Sequence, residues 1–174
     1  MLSYSRNTLV DSSLQEHLAY FEKKGVGVIN ASPTAMGLLT NNGPPVWHPA
    51  SDRLKVAIAV KPGETRYYVS LLYVQVVCKE IGGECARREV ELGKLSVHHN
   101  IADQPSIIAT TLLGVGRMEI LKLNLDLALY GLTAQEEEVL VYIKEKYFSK
   151  MTNAENSWDG KEVEEYRKAI KAEK

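Results

Sequence analysis

The sequence predicts an α/β fold with parallel strand pairing. Two β-branched apolar runs, residues 26–31 and 106–113, have the length and composition of buried strands. A helical segment precedes each run and helical stripes follow the second, with capping boxes at Ser12–Gln15 and Thr133–Glu136. Strands that alternate with helices favour crossover connections, and crossovers give parallel sheets. Only about three strands are visible, which is few for a closed or doubly covered sheet. Residues 1–150 are expected to form the domain and residues 151–174 a charged helical tail.

Each element has its own warrant. Residues 2–5 suit the stub of a strand. Ser12 followed by Gln15 has capping-box spacing, and Leu14, Leu18 and Phe21 then repeat at i, i+4 and i+7 as one apolar stripe. Lys23 and Lys24 suit the negative end of the helix dipole, and Gly25 suits the residue just past it. Residues 32–52 hold four prolines and two glycines within a polar stretch and are expected to be loop. A single helix is expected over 85–99. After the strand at 106–113, Gly114 and Gly116 break the run. Met118, Leu121, Leu125 and Ala128 make the next helical stripe, expected to face the core. Thr133 and Glu136 form a second capping box, with Val139, Leu140 and Ile143 behind it. Glu136, Glu137 and Glu138 suit a solvated first turn at the positive dipole end. A weak stripe at Val163, Tyr166 and Ile170 suggests a surface helix in the tail.

Composition excludes several classes of function. The chain has 174 residues, 45% hydrophobic and 25% charged, an ordinary globular balance. Lys plus Arg (21) nearly equals Asp plus Glu (22), so no nucleic-acid partner is expected. No run approaches the roughly 20 apolar residues of a membrane span, so no membrane partner is expected either. The first residues lack the apolar core of a signal peptide, and Cys78 and Cys85 do not make a disulfide framework. A reduced, cytoplasmic protein is the expectation. No metal site is expected from Cys78, Cys85, His98 and His99. The cysteines are too far apart for the short spacing of structural zinc, and adjacent histidines point to different sides of a helix.

The segment Gly25-Val26-Gly27-Val28-Ile29-Asn30-Ala31-Ser32-Pro33-Thr34-Ala35-Met36-Gly37-Leu38-Leu39-Thr40 resembles the aldo-keto reductases, in which a strand ending in Ser-Pro leads to a Gly-Leu-Leu loop. Its continuation, Asn42-Gly43-Pro44-Pro45-Val46-Trp47-His48-Pro49-Ala50, is similar to one branch, the L-galactose dehydrogenase-like aldose dehydrogenases. Residues 114–124 match the spacing of the family's final cofactor segment, which ends in Asn. The resemblance covers about residues 2–59 and 76–147.

The resemblance implies a (β/α)₈ TIM barrel with NAD(P)-dependent hydride transfer at its C-terminal face. Residues 2–5, 26–31 and 107–113 would be its sixth, seventh and eighth strands. The chain would then be an incomplete, C-terminal portion of about three βα units. It also implies a cofactor site, for NAD or NADP, at Ser32, Gly37, Leu38, Thr40, Gly114, Val115, Gly116 and Asn124. Ser32 sits at a strand's C-terminal end, where its hydroxyl and nearby backbone N–H groups can meet a pyrophosphate. Gly114, Val115 and Gly116 precede a helix whose N-terminus suits an anion, and Asn124 would reach the adenine. Read without the family, Ser-Pro is a strand terminator, the glycines a strand-to-helix turn and Asn124 an ordinary polar residue. Trp47 and His48 lie in a loop that overhangs the substrate in the family; a simply packed loop accounts for them equally.

Some positions depart from the family. Ala31 stands where many members stack a Tyr on the nicotinamide. Gly116 and Ile120 replace donors to the adenosine end, which removes hydrogen bonds that bear on NAD against NADP. Residues 61–73 match nothing in the family and form an atypical insertion, with strand-like residues at 67–77. Residues 60–75 can be encoded by a segment beginning GT and ending CAG. A retained intron is one hypothesis for it, which comparison of the genomic locus with spliced transcripts tests. The family's Asp, Tyr, Lys and His tetrad comes from the first half of the barrel, and no residue here matches a tetrad position, so no catalytic residue is assigned. Three barrel strands would leave two sheet edges and an apolar face open. Partners expected from the resemblance are therefore a nicotinamide dinucleotide, a second copy, or full-length sister subunits.

Overall fold

A computed structural model describes residues 1–43, 78–102 and 104–150. Its elements, in order, are β1 (Leu2–Tyr4), α1 (Gln15–Lys23), β2 (Val28–Ala31), α2 (78–87), α3 (Leu92–Ala102), β3 (Ile108–Leu112), α4 (Met118–Tyr130) and α5 (Ala134–Lys146), closed by a 3₁₀ turn at Phe148–Lys150. Among the described residues the strands form one parallel sheet in the order β1-β2-β3. The predicted α/β class with parallel pairing is what forms. The insertion at 61–73, Trp47, His48, the loop from 44 onward and the tail from 151 lie outside the described residues.

Pairing sets Leu2 against Ile29, Ser3 against Asn30 and Tyr4 against Ala31. Val28 pairs with Ile108, and after a one-residue slip Ile29, Asn30 and Ala31 pair with Thr110, Thr111 and Leu112. Side chains alternate across a strand, so Ser3, Val28, Asn30 and Ile108 share one face. The helices cover that face: Leu14, Leu18 and Phe21 of the α1 stripe pack on Val28 and Ile108. The opposite face carries Leu2, Tyr4, Ile29 and Leu112, all exposed. A second, larger core lies beside the sheet, where Leu38 and Leu39 meet Cys78, Ile81, Leu92, Leu95, Val139 and Ile143.

Local signals decide several boundaries. Gly25 takes φ +65° and ends α1, with the Val26 N–H on the Phe21 carbonyl at 2.9 Å and the Gly25 N–H on Glu22 at 3.0 Å. The Thr133–Glu136 capping box forms as expected: each side chain accepts from the other residue's backbone N–H.

Three expectations are corrected. The Ser12–Gln15 capping box does not form; Leu14 occupies the N-cap with helical dihedrals and no side-chain cap. Asp11 outcompetes it, its carboxylate accepting the Ser13 N–H at 2.9 Å and the Ser13 hydroxyl at 2.5 Å. The single helix over 85–99 is two helices. Glu89 takes φ +58°, and the Val90 N–H turns back to the Cys85 carbonyl while the Glu89 N–H meets Ala86, ending α2 as Gly25 ends α1. Helix α4 forms, but Met118, Leu121, Leu125 and Ala128 face outward. Ile120, Leu123, Asn124 and Leu127 face inward instead; nine of the thirteen α4 positions are apolar, so more than one apolar stripe can be drawn along it.

Among the described residues no helix is long and apolar enough to cross a membrane.

Candidate functional site

A cleft of about 660 Å³ opens at the C-terminal ends of the three strands, a size suited to a small-molecule site. One wall is the turn after β2, with Ser32, Gly37 and Thr40; another is the start of α3, with Glu91, Lys94 and Val97. A third comprises Leu112, Gly114, Ile120 and Asn124. In open parallel sheets, ligands sit outside the carboxyl ends of strands.

The turn after β2 is strained. Ser32, Ala35 and Met36 take φ of +60°, +51° and +59°, and Gly37 takes +91°. A left-handed conformation costs about 1–2 kcal/mol at each non-glycine position, and such strain gathers at functional turns. Hydrogen bonds within the turn hold it. The Met36 N–H donates to the Ser32 hydroxyl at 2.9 Å, the Ala35 N–H to the Ser32 carbonyl at 3.0 Å, and the Gly37 N–H to Thr34 at 3.1 Å. These N–H groups are spent inside the turn. The Ser32 hydroxyl accepts through its oxygen, and its proton is left to donate. The Thr40 hydroxyl lies 3.0 Å from the Gly37 carbonyl and 3.3 Å from that of Gly43.

Of the residues singled out on sequence, Ser32, Gly37, Thr40, Gly114 and Asn124 come together around this cleft. Leu38 does not line it; its side chain is fully buried in the larger core. Val115 and Gly116 are exposed and also lie off the wall. They lead into α4, whose N-cap, Arg117, makes no side-chain cap bond, so its first N–H groups have no side-chain acceptor at that position.

Several functional positions carried no local sequence signal. Lys94 lines the cleft and meets both carboxylate oxygens of Glu136, at 2.7 and 2.8 Å. Burial pushes the Glu136 carboxyl up, but Lys94 and the Thr133 N–H outweigh it and hold it below its ordinary value. Asn41 caps α3 from a distance, accepting the Leu92 N–H at 2.9 Å and donating to the Val90 carbonyl at 2.9 Å. Gly82 lets α2 press on the same loop, since an added Cβ would stand 3.2 Å from the Thr40 carbonyl oxygen.

Neither cysteine is poised as a nucleophile. Burial pushes the Cys78 thiol up to about 12, and burial followed by Glu91 and Glu84 pushes Cys85 up to about 11. Among the described residues there is no group of three or more His, Cys, Asp or Glu that could hold a metal ion.

A stretch of 57 residues, 33% of the chain, is 60% identical to L-galactose dehydrogenase of Arabidopsis thaliana. The chain covers 18% of that relative's length. No family model matches. Over that stretch the chain has an aldo-keto reductase-like relationship, and a dehydrogenase-type relative.

Proposed function

We propose that residues 1–150 are the C-terminal part of an aldo-keto reductase-type, NAD(P)-dependent oxidoreductase domain, similar to an L-galactose dehydrogenase, and that the cleft takes part of the dinucleotide. The observation that carries this is the convergence of Ser32, Gly37, Thr40, Gly114 and Asn124 on one cleft at the strands' C-terminal ends. They come from two segments more than 70 residues apart in sequence: parallel pairing of Ala31 with Leu112 sets Ser32 near Gly114, and α4 adds Asn124 to the same cleft.

The donor set fits a phosphorylated ligand. The Ser32 hydroxyl retains a proton to donate, and the Asn124 amide offers both a donor and an acceptor to a base. Lys94 adds little net charge while Glu136 neutralises it. When bound, the nicotinamide supplies hydride transfer. This chain's residues bind and orient it; the Asp, Tyr, Lys and His tetrad would come from barrel strands outside this sequence. The chain alone is therefore expected to bind dinucleotide and not to turn over an aldose. Calorimetric titration with NADH and NADPH tests the first part, and an assay with L-galactose and NAD or NADP tests the second. Absence of heat at saturating nucleotide sinks the binding claim; turnover sinks the claim of inactivity.

A second reading is favoured by the uncovered sheet face. Leu2 and Tyr4 are each 53% exposed and Leu112 is 47% exposed; all three also line the cleft, and exposed apolar patches of this kind mark contacts. On that reading the chain is a non-catalytic splice form that pairs with itself or with full-length subunits. Light scattering of the purified chain, and co-purification with a full-length sister chain, separate the two.

A further inference from the structure

Buried positions of α3 are not uniformly apolar. Leu92 and Leu95 pack in the larger core, but Ser96 and Asn100, both with no exposed surface, are polar. Buried polar groups are costly unless hydrogen-bonded, and these two are bonded to β2 and its turn. The Ser96 hydroxyl donates to the Pro33 carbonyl at 2.7 Å. One helical turn later, the Asn100 side-chain oxygen accepts from the Asn30 amide at 2.7 Å, while its own amide returns to the Ser96 carbonyl at 2.9 Å. Asn7 reaches the same Asn100 oxygen at 3.5 Å.

These bonds bracket Ser32. Asn30 is two residues before it and Pro33 is the next residue, so one face of α3 grips the chain on either side of the cleft serine. Ser32 begins the strained turn, and a turn with left-handed non-glycine residues keeps one shape only where its surroundings over-determine it. The same helix presents Lys94 and Val97 to the cleft, with Glu91 just before its start. We propose that Ser96 and Asn100 are positioning residues that fix the height of α3 against the end of β2, and thereby set the distance from Ser32 to the α3 wall. This rests on the dinucleotide reading of the cleft for its effect on binding. The turn's rigidity is a separate consequence.

The test compares the full chain with Ser96→Ala, Ser96→Thr and Leu14→Val, the last a control in the smaller core beneath the sheet. Each is measured by NADH titration, thermal midpoint and amide hydrogen exchange. Ser96→Ala is expected to weaken NADH binding about tenfold, the scale of one buried hydrogen bond, and to speed exchange at Met36, Gly37 and Leu39 by a similar factor. Ser96→Thr keeps the hydroxyl and restores both. Leu14→Val lowers the midpoint and changes neither. Should Ser96→Ala not fold, Ser96→Cys, which only weakens the donor, carries the same predictions at smaller size. Unchanged exchange at the turn, or equal loss of binding in the control, overturns the proposal. If the wild type binds no NADH, the dinucleotide reading falls, and the exchange rates at the turn alone decide whether Ser96 positions it.

Discussion

Removing Lys94 tests how the cleft wall is tied to the rest of the molecule. Lys94 and Glu136 are 17% and 14% exposed at their side chains, with the nitrogen 2.7 Å from one carboxylate oxygen. At an effective dielectric of about 20, two unit charges at that separation attract by about 6 kcal/mol, and desolvation of both groups removes most of it. Exposed pairs are worth about 0–1 kcal/mol and breaking a fully buried one costs about 3–5 kcal/mol; this pair lies between, at about 2 kcal/mol. Urea denaturation of Lys94→Met, Glu136→Gln and the double variant isolates the coupling, since Gln still accepts from the Thr133 N–H and keeps the cap. A coupling of about 1–2 kcal/mol is expected at neutral pH. Glu136 is held below its ordinary carboxyl value of 4.5 in the folded chain, so its contribution is present above that value and is lost as pH falls through the depressed folded one. Coupling below about 0.5 kcal/mol, within the usual error of additivity, would refute the reasoning. So would a coupling that survives full protonation of the carboxyl.

Other outcomes follow from single positions. Glu89→Gly removes a left-handed side chain at φ +58° and is expected to raise stability by about 0.5–1 kcal/mol, read as a higher urea midpoint. Asn41→Ala leaves the Leu92 N–H and Val90 carbonyl without their partner and is expected to cost about 2 kcal/mol by the same measurement. Leu112→Lys charges the open sheet face and is expected to reduce self-association in light scattering; unchanged association would put the contact elsewhere.

Where a signal is local, the sequence was legible. The Leu14, Leu18 and Phe21 stripe, the Gly25 terminus and the Thr133–Glu136 box each need only residues within a few positions of one another, and all three form. The capping pair at Ser12 and Gln15 has the same spacing and fails because Asp11, one residue earlier, binds Ser13 first. Glu89 carries no mark of the left-handed conformation that ends α2. On α4 nine of thirteen residues are apolar, so two stripes can be drawn, and the sequence points to the one through Leu121 and Leu125 in place of the one through Ile120, Leu123 and Leu127. At the cleft, Ser32 and Asn124 were legible through the motifs that contain them. Lys94, Asn41, Ser96 and Asn100 were not, because the partners that place them lie 42 to 93 residues away and no periodicity encodes such a contact.

The most direct measurement of the central claim is a thermal melt of the purified chain, with and without saturating NADH and NADPH. A ligand that binds only the folded state at about a hundred times its Kd stabilises it by about 2.7 kcal/mol. For a chain of this size each kcal/mol moves the midpoint about 2–4 °C, so a cooperative transition is predicted to rise by about 5–10 °C with at least one of the two. A cooperative transition that stays fixed with both would contradict the assignment of the cleft to a nicotinamide dinucleotide.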